Sequence, residues 1–192
     1  MSENDRPRIY LAGPEVFLPD PHPVARAKKA VCAAHGLIGV FPLDAELTLE
    51  GLSPAEQALR ISAANEDLIQ RSDAVIANLT PFRGPSADAG TIYEVGFARG
   101  SGKPVFGYTH CCEDLAQRTR AAGQLSESAR VDTNGMAIES FGMHDNLMID
   151  GGIRAGGGTI TARPAADEVL YSALEAFEVC VAEAAACLRS SA

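Results

Sequence analysis

Short apolar segments alternate with amphipathic helical segments along the first half of this chain. The apolar segments, residues 8–12, 37–41, 73–79 and 103–108, are rich in β-branched and aromatic side chains, as is typical of buried strands. Helical patterns occupy residues 23–35, 53–71 and about 90–100, and the second begins with Ser-Pro-Ala-Glu, a capping-box sequence. Strands joined through helices need crossover connections and therefore run parallel. We expect an α/β fold: a doubly wound parallel sheet with helices on both faces.

The second half of the chain is less regular and ends in a predicted helix. Apolar residues recur at three- and four-residue steps across residues 164–189, which predicts a long amphipathic helix. The apolar run at residues 147–149, preceded by the three polar residues at 144–146, is compatible with a short edge strand. No Pro-, Gly- or Ser-rich linker divides the chain, and 192 residues suit one domain. We expect a single domain over residues 1–192, with a core at about 8–150 and a C-terminal helix at about 164–189.

The charge and cysteine content exclude several classes of partner. The chain has 16 Lys and Arg against 25 Asp and Glu, and its net charge of −9 repels nucleic acids and anionic membranes. No apolar run reaches the length of a membrane span, and the N-terminal letters MSENDRPR lack a signal-peptide core, so a cytoplasmic location is expected. The neighbouring His110, Cys111 and Cys112 lack the spacing of paired metal ligands, so no metal site is expected.

Ligands of open parallel sheets bind beyond the carboxyl ends of the strands, which directs attention to the loops after the first and third strands. Neither loop carries a dinucleotide or phosphate-binding glycine motif. The second loop places Asp88 just before the third helix and Glu94 in its first turns, where the helix dipole favours ionised carboxylates. An ionised carboxylate in a dry crevice is a nucleophile or a base. The alternative is that Asp88 only caps the helix and Glu94 is a solvated acid.

Two further residues bear on this crevice. Asp67 lies near the end of the second helix, from which its carboxylate could turn towards the same place, although a lone acid on an amphipathic helix is more often at the surface. Tyr10 lies within the first strand, where its hydroxyl needs a buried partner. The residues alone therefore predict a crevice that holds carboxylates.

Five motifs, in their order and spacing, resemble those of the nucleoside 2-deoxyribosyltransferases. They are YLAGP at 10–14 followed by Phe17, NEDL at 65–68, DAVIANLTPFRG at 73–84, DAGTIYEVG at 88–96 and NLM at 146–148. The resemblance implies a flavodoxin-like fold and transfer of a 2-deoxyribosyl group between nucleobases through a covalent glycosyl-enzyme intermediate, without a cofactor or metal. The implied partners are a small-molecule deoxynucleoside and a free nucleobase. The letters PFRG resemble the purine-specific branch, which implies a role in purine salvage.

The resemblance also implies roles for individual residues. Glu94 matches the nucleophile, Tyr10 the residue whose hydroxyl orients it, and Asp67 the carboxyl that exchanges a proton with the base. The positions implied in substrate binding are Asp88, Asn146, Gly13, Phe17 and Met148. In the family the Asn of the Asn-Leu-Met motif reaches a neighbouring subunit's site, so a homo-oligomer with shared sites is expected. The resemblance gives no role to His144 or Asp145.

Two other functions remain open at this stage. Water could replace the acceptor base, giving hydrolysis of 2′-deoxynucleosides or of their 5′-monophosphates. Asp88 would repel a 5′-phosphate, which favours an uncharged nucleoside. A non-enzymatic nucleoside-binding module is the third alternative, but a binder has no need for a carboxylate aimed at C1′ of the sugar.

Overall fold

The fold is a five-stranded parallel sheet within residues 6–190, the part of the chain that the computed structural model describes. The strands are β1 (Arg8–Ala12), β2 (Ile38–Val40), β3 (Ala74–Asn78), β4 (Val105–Thr109) and β5 (Ile160–Ala162). Their order is β2-β1-β3-β4-β5, and every pairing is parallel. The four strands predicted from apolar runs are therefore confirmed within two residues at each end.

Six helices accompany the strands in the described residues. They are α1 (His22–Ala34), α2 (Pro54–Gln70), α3 (Ala89–Gly100), α4 (Leu115–Ala122), α5 (Leu147–Ala155) and α6 (Glu175–Ser190). Short 3₁₀ turns follow β1 at Pro14–Phe17 and β2 at Pro42–Asp44. The predicted capping box is present, because the Ser53 N–H donates to Glu56 at 2.8 Å and Ser53 Oγ accepts from the Glu56 N–H. Local sequence thus determines where α2 begins.

Helices cover both faces of the sheet. One apolar layer joins α1 and α6 to strand residues such as Ile9 and Leu11. The other joins α2, α3 and α5 to the alternate residues, including Tyr10 and Val75. Because successive side chains of a strand point to opposite faces, each inner strand contributes to both layers. The predicted doubly wound architecture is confirmed.

Two expectations about the second half of the chain were wrong, and one strand was missed. The run at 147–149 is not a strand: Asn146 Oδ1 accepts the Met148 N–H at 3.0 Å and caps α5. The last helix begins at Glu175 rather than at residue 164, because the Ala173 carbonyl contacts the His110 ring and the Tyr171 hydroxyl donates to the Pro81 carbonyl at 2.6 Å. These contacts hold residues 164–174 in turns. Strand β5 was missed because it has only three residues and no apolar run.

No helix among residues 6–190 has both the length and the apolar character that crossing a membrane would require.

Candidate active site

A cavity of about 230 Å³ opens beyond the carboxyl end of β1, beside α2 and α3. At this point in the sheet the connections after β1 and β3 diverge to opposite faces, which is where open α/β sheets bind ligands. One wall is apolar and includes Phe17, Leu43 and Ile61, whereas Asp88 and Glu94 line the other. The remaining lining residues are Gly13, Val16, Pro42, Asn65, Gly90 and Thr91. The cavity is therefore shaped for a ligand with a flat apolar part and a polar part.

Glu94 and Tyr10 form a hydrogen-bonded pair at the base of this cavity. The Tyr10 side chain is buried and extends from β1 towards α3, where its hydroxyl donates to Glu94 Oε1 at 2.6 Å. Burial raises the pKa of Glu94 to about 7; the Tyr10 hydrogen bond lowers it, and the charges of Asp88 and Glu15 raise it. Burial and the neighbouring carboxylate also raise the pKa of Tyr10, so Tyr10 remains a proton-bearing donor. One Glu94 oxygen thus accepts a hydrogen bond from Tyr10, and the pKa of the carboxyl lies near neutral pH.

Asp88 is both the cap of α3 and part of the cavity wall. Its Oδ2 accepts the Thr91 N–H at 2.9 Å and the Thr91 hydroxyl at 3.1 Å. Both bonds end on the same oxygen, so Oδ1 keeps its capacity as an acceptor. The capping role and a ligand-binding role are therefore compatible in this geometry.

Gly13 and Phe17 shape the wall contributed by the segment after β1. A Cβ atom at position 13 would overlap Glu15 Oε2 and lie 2.9 Å from the Asn78 Cβ, so only glycine fits there. Phe17 stacks on Phe82, with ring centroids 5.3 Å apart and an interplanar angle of 12°, yet its side chain is 54% exposed. An exposed, fixed aromatic ring at the mouth of a cavity is a suitable surface for stacking a planar ligand.

A fully buried polar cluster beneath Gly13 was missed by the sequence reasoning. The Glu15 side chain is 0% exposed, and its Oε1 accepts from Lys28, from Asn78 Nδ2 at 2.9 Å and from the Tyr108 hydroxyl at 2.8 Å. The available signal was Lys28 itself, which lies on the buried face of α1 four residues before Cys32 and needs a counter-charge there. The cluster supports the Gly13 wall and places a negative charge close enough to Glu94 to raise its pKa.

The structure does not place Asp67 in the cavity. Its side chain is 50% exposed and pairs with Arg71, with 2.9 Å between Oδ2 and Nη2. Residues two apart on a helix point in different directions, and it is Asn65 that lines the cavity. The expectation that Asp67 turns towards the crevice is therefore not met, and the neighbouring Asn65 was overlooked.

Asn146 and Met148 also lie outside the lining of the cavity in this chain. The Asn146 Nδ2 donates to Glu139 at 2.8 Å while its Oδ1 caps α5, and the Met148 side chain is 73% exposed. The Glu139 carboxylate also accepts the Leu147 N–H at 2.5 Å. Asn146 is thus held rigidly at a surface that displays Leu147 and Met148.

The cluster around His110 has protein partners of its own. The two ring nitrogens of His110 lie 3.0 and 3.1 Å from the carbonyls of Arg163 and Ala173, and Cys111 Sγ donates to Glu113 at 2.9 Å. Among residues 6–190, no group of three or more His, Cys, Asp or Glu side chains is arranged to hold a metal ion.

Comparisons with known proteins give a consistent result. A family model described as nucleoside 2-deoxyribosyltransferase matches residues 9–148. An uncharacterised protein from Schizosaccharomyces pombe is 31% identical over 199 residues, covering 96% of this chain and 91% of its own. The solved structure of a 2-desoxiribosyltransferase from Leishmania mexicana is similar, with 29% identity and a TM-score of 0.60 over 88% of this chain and 96% of that one. A conserved protein from Enterococcus faecalis shares the fold, with 21% identity and a TM-score of 0.51 over 87% of this chain and 96% of its own. The expected flavodoxin-like fold is confirmed.

Proposed function

The chain belongs to the nucleoside 2-deoxyribosyltransferase family, and from this premise we propose that it transfers a 2-deoxyribosyl group between nucleobases through a covalent intermediate on Glu94. The observation that carries the proposal is the 2.6 Å hydrogen bond from buried Tyr10 to Glu94, on the wall of a cavity of about 230 Å³. A carboxylate with one oxygen fixed by a donor and the other available is suited to attack on carbon. Asp88 also keeps one oxygen free in the cavity, but its other oxygen caps α3, whereas Glu94 is held by the side-chain hydroxyl of buried Tyr10.

In the first half-reaction, ionised Glu94 attacks C1′ on the face opposite the departing base. A C1′–O bond forms while the C1′–N bond breaks through an oxocarbenium-like state, and the electron pair goes to the base nitrogen, which takes up a proton from solvent water. The pKa of about 7 means that Glu94 is largely ionised in mildly alkaline solution. Tyr10 keeps the attacking group oriented and stabilises the ionised form through its hydrogen bond.

In the second half-reaction, a ring nitrogen of the incoming base attacks C1′, displaces the Glu94 carboxylate and releases its proton to solvent water. Two inversions give overall retention. Asp67 was expected to exchange the proton with the base, but its half-exposed pairing with Arg71 gives that role no support. We therefore leave Asp67 out of the reaction sequence.

The cavity walls suggest how the substrate is held. Asp88 is suited to accept a hydrogen bond from a sugar hydroxyl through Oδ1, because its other oxygen is occupied by Thr91. Phe17 offers its exposed ring to the base, and Gly13 lets the wall beside it pack against buried Glu15 and Asn78. Two carboxylates on one wall disfavour a 5′-phosphate, so the proposed substrates are uncharged deoxynucleosides and free nucleobases, with purines favoured by the PFRG motif.

We place Asn146 and Met148 in the site of a neighbouring subunit. Both lie outside the cavity of their own chain, and Met148 is 73% exposed beside the exposed Leu147. An exposed apolar pair next to a rigidly held amide fits a surface that completes another copy's cavity. The proposal therefore includes a homo-oligomer with shared sites.

Product analysis tests the proposed reaction. The protein is incubated with 2′-deoxyinosine, with and without adenine, and the products are separated by chromatography. We expect 2′-deoxyadenosine and hypoxanthine when adenine is present. Free deoxyribose released at the same rate in both samples would instead identify a hydrolase, and no turnover in either sample would support a binding module.

A matched pair of variants tests the nucleophile. Glu94→Gln removes the attacking carboxylate but keeps a partner for Tyr10, and we expect it to abolish transfer. The control is Glu66→Gln, because Glu66 accepts a hydrogen bond from the Tyr93 hydroxyl in the same kind of pair outside the cavity lining. Glu66→Gln should transfer at the wild-type rate, and transfer retained by Glu94→Gln would contradict the proposal.

A further inference from the structure

A buried carboxylate, Asp145, joins the loop before α3 to the start of α5. Its side chain is 1% exposed, and its oxygens accept three hydrogen bonds: from the Ser86 hydroxyl, from the Ala87 N–H at 2.8 Å and from the Asn146 N–H at 2.8 Å. The loop donors are nearly sixty residues away along the chain. One side chain therefore fixes two segments that are distant in sequence.

A counter-charge and further backbone contacts complete this junction. Arg118 Nη2 lies 3.8 Å from Asp145 Oδ2, and the same guanidinium donates to the Pro85 carbonyl at 2.6 Å and to the His144 carbonyl. The Asp145 N–H donates to Asp150 Oδ2 at 2.9 Å. Arg118 thus binds the backbone of both segments as well as the charge between them, and the junction has little freedom to shift.

One donor to Asp145, the Ala87 N–H, directly precedes a residue proposed to bind substrate. That residue is Asp88, which caps α3 and lines the cavity. We propose that Asp145 is a positioning residue that sets the location of the Asp88 carboxylate in the cavity. This inference rests on the proposed function, because it concerns the binding of a deoxynucleoside by Asp88.

The Asp145 side chain is the acceptor in each of these hydrogen bonds. Three donors converge on its two oxygens, and Arg118 compensates part of its charge. An amide in the same place offers one acceptor oxygen, and its NH₂ group would face at least one of the three donors. Because asparagine has nearly the same shape as aspartate, the main effect of Asp145→Asn is to remove at least one hydrogen bond between the loop before α3 and the start of α5.

Binding measurements in a thermodynamic cycle test this role. Dissociation constants for 2′-deoxyinosine are measured by calorimetry on four variants, all carrying Glu94→Gln so that no turnover occurs. The first of the four has no further change, the second adds Asp145→Asn, the third adds Asp88→Asn, and the fourth adds both. We expect Asp145→Asn to raise the Kd about tenfold when Asp88 is present, as for one lost charge-assisted hydrogen bond. In the Asp88→Asn background the same change should raise the Kd less than about twofold, because Asp145 then has no carboxylate to position.

A structural role alone gives a different result: Asp145→Asn would weaken binding by the same factor in both backgrounds, and this would overturn the proposal. The matched control is Asp132→Asn, because Asp132 accepts the N–H groups of Asn134 and Met136 at 2.8 and 2.9 Å in an exposed turn. It should leave the Kd unchanged.

Ser86→Ala removes a single donor to Asp145 and replaces Asp145→Asn in the cycle if the latter does not fold. We expect about a threefold rise in Kd with the same dependence on Asp88, less than for Asp145→Asn because the two backbone donors to Asp145 remain. Equal effects in both backgrounds would again refute the positioning role. The cycle measures binding, whereas the product assay with the wild-type protein measures the reaction, so failure of the positioning role is distinguished from failure of the proposed function.

Discussion

Replacing Tyr10 by Phe removes the hydroxyl that donates to Glu94 Oε1 at 2.6 Å and leaves the buried ring in place. A hydrogen bond to a charged group contributes about 1.5–3 kcal/mol, and one to the neutral acid about 0.5–1.5 kcal/mol. The ionised form of Glu94 therefore loses about 1–1.5 kcal/mol more than the protonated form, which raises the pKa of Glu94 by about one pH unit. At pH 7 the ionised fraction should fall from about one half to about one tenth.

The assay is the pH dependence of kcat/KM for transfer from 2′-deoxyinosine to adenine. We expect the ascending limb of the Tyr10→Phe profile to lie about one pH unit higher, with about fivefold less activity at pH 7 from this shift and a smaller difference near pH 9, where only the loss of orientation remains. Tyr93→Phe, which removes the hydroxyl of the Tyr93–Glu66 pair, should leave the profile unchanged. An unshifted limb with a lower plateau would refute the claim that Tyr10 acts on the ionisation of Glu94.

Three other predictions concern stability and the excluded acid. Burial raises the pKa of Glu94 from 4.5 to about 7, so folding stability falls as pH rises between these values, and Glu94→Gln should stabilise the protein at pH 8 by about 1–2 kcal/mol after allowance for solvent screening. Thermal melts at pH 4.5 and pH 8 measure this, and an equal Tm difference at both would contradict it. Lys28→Met leaves buried Glu15 without its counter-charge and should cost about 3–5 kcal/mol in urea unfolding. Lys29→Met, which breaks a half-exposed pair on the same helix, should cost at most about 1 kcal/mol, and equal losses would count against the buried cluster. Asp67→Asn should leave kcat/KM within about twofold, because the half-exposed Asp67 carboxylate pairs with Arg71 outside the cavity lining, whereas a large loss would show that Asp67 takes part in the reaction.

The parts of the fold that follow from local sequence were predicted well. The buried strands appear as apolar runs, and α2 begins at the capping box formed by Ser53 and Glu56. Local patterns do not predict element boundaries that depend on contacts with residues distant in sequence. The start of α6 depends on His110 and Tyr171, which hold the segment before it in turns. At α5 the cap at Asn146 outweighs the apolar run that follows it.

In the candidate site, too, some residues could be predicted from the sequence and others could not. The order of the motifs indicated Glu94 and Tyr10, and the structure brings them within hydrogen-bonding distance. The position of Asp67 on its helix could not be read from the motif alone, because rotation about the helix axis decides which residue faces the cavity. The pairing of Glu15 with Lys28 depends on how α1 packs against the sheet, so the sequence shows an unsatisfied lysine without showing its partner.

The most direct test of the central claim is a search for the covalent intermediate. The protein is incubated with 2′-deoxyinosine in the absence of an acceptor base, quenched in acid, and analysed by intact-mass and peptide mass spectrometry. We predict a mass increase of one 2-deoxyribosyl group, located on Glu94, that disappears when adenine is added before the quench. An adduct on another residue, or active transfer from an enzyme that never carries an adduct, would contradict the assignment of Glu94 as nucleophile.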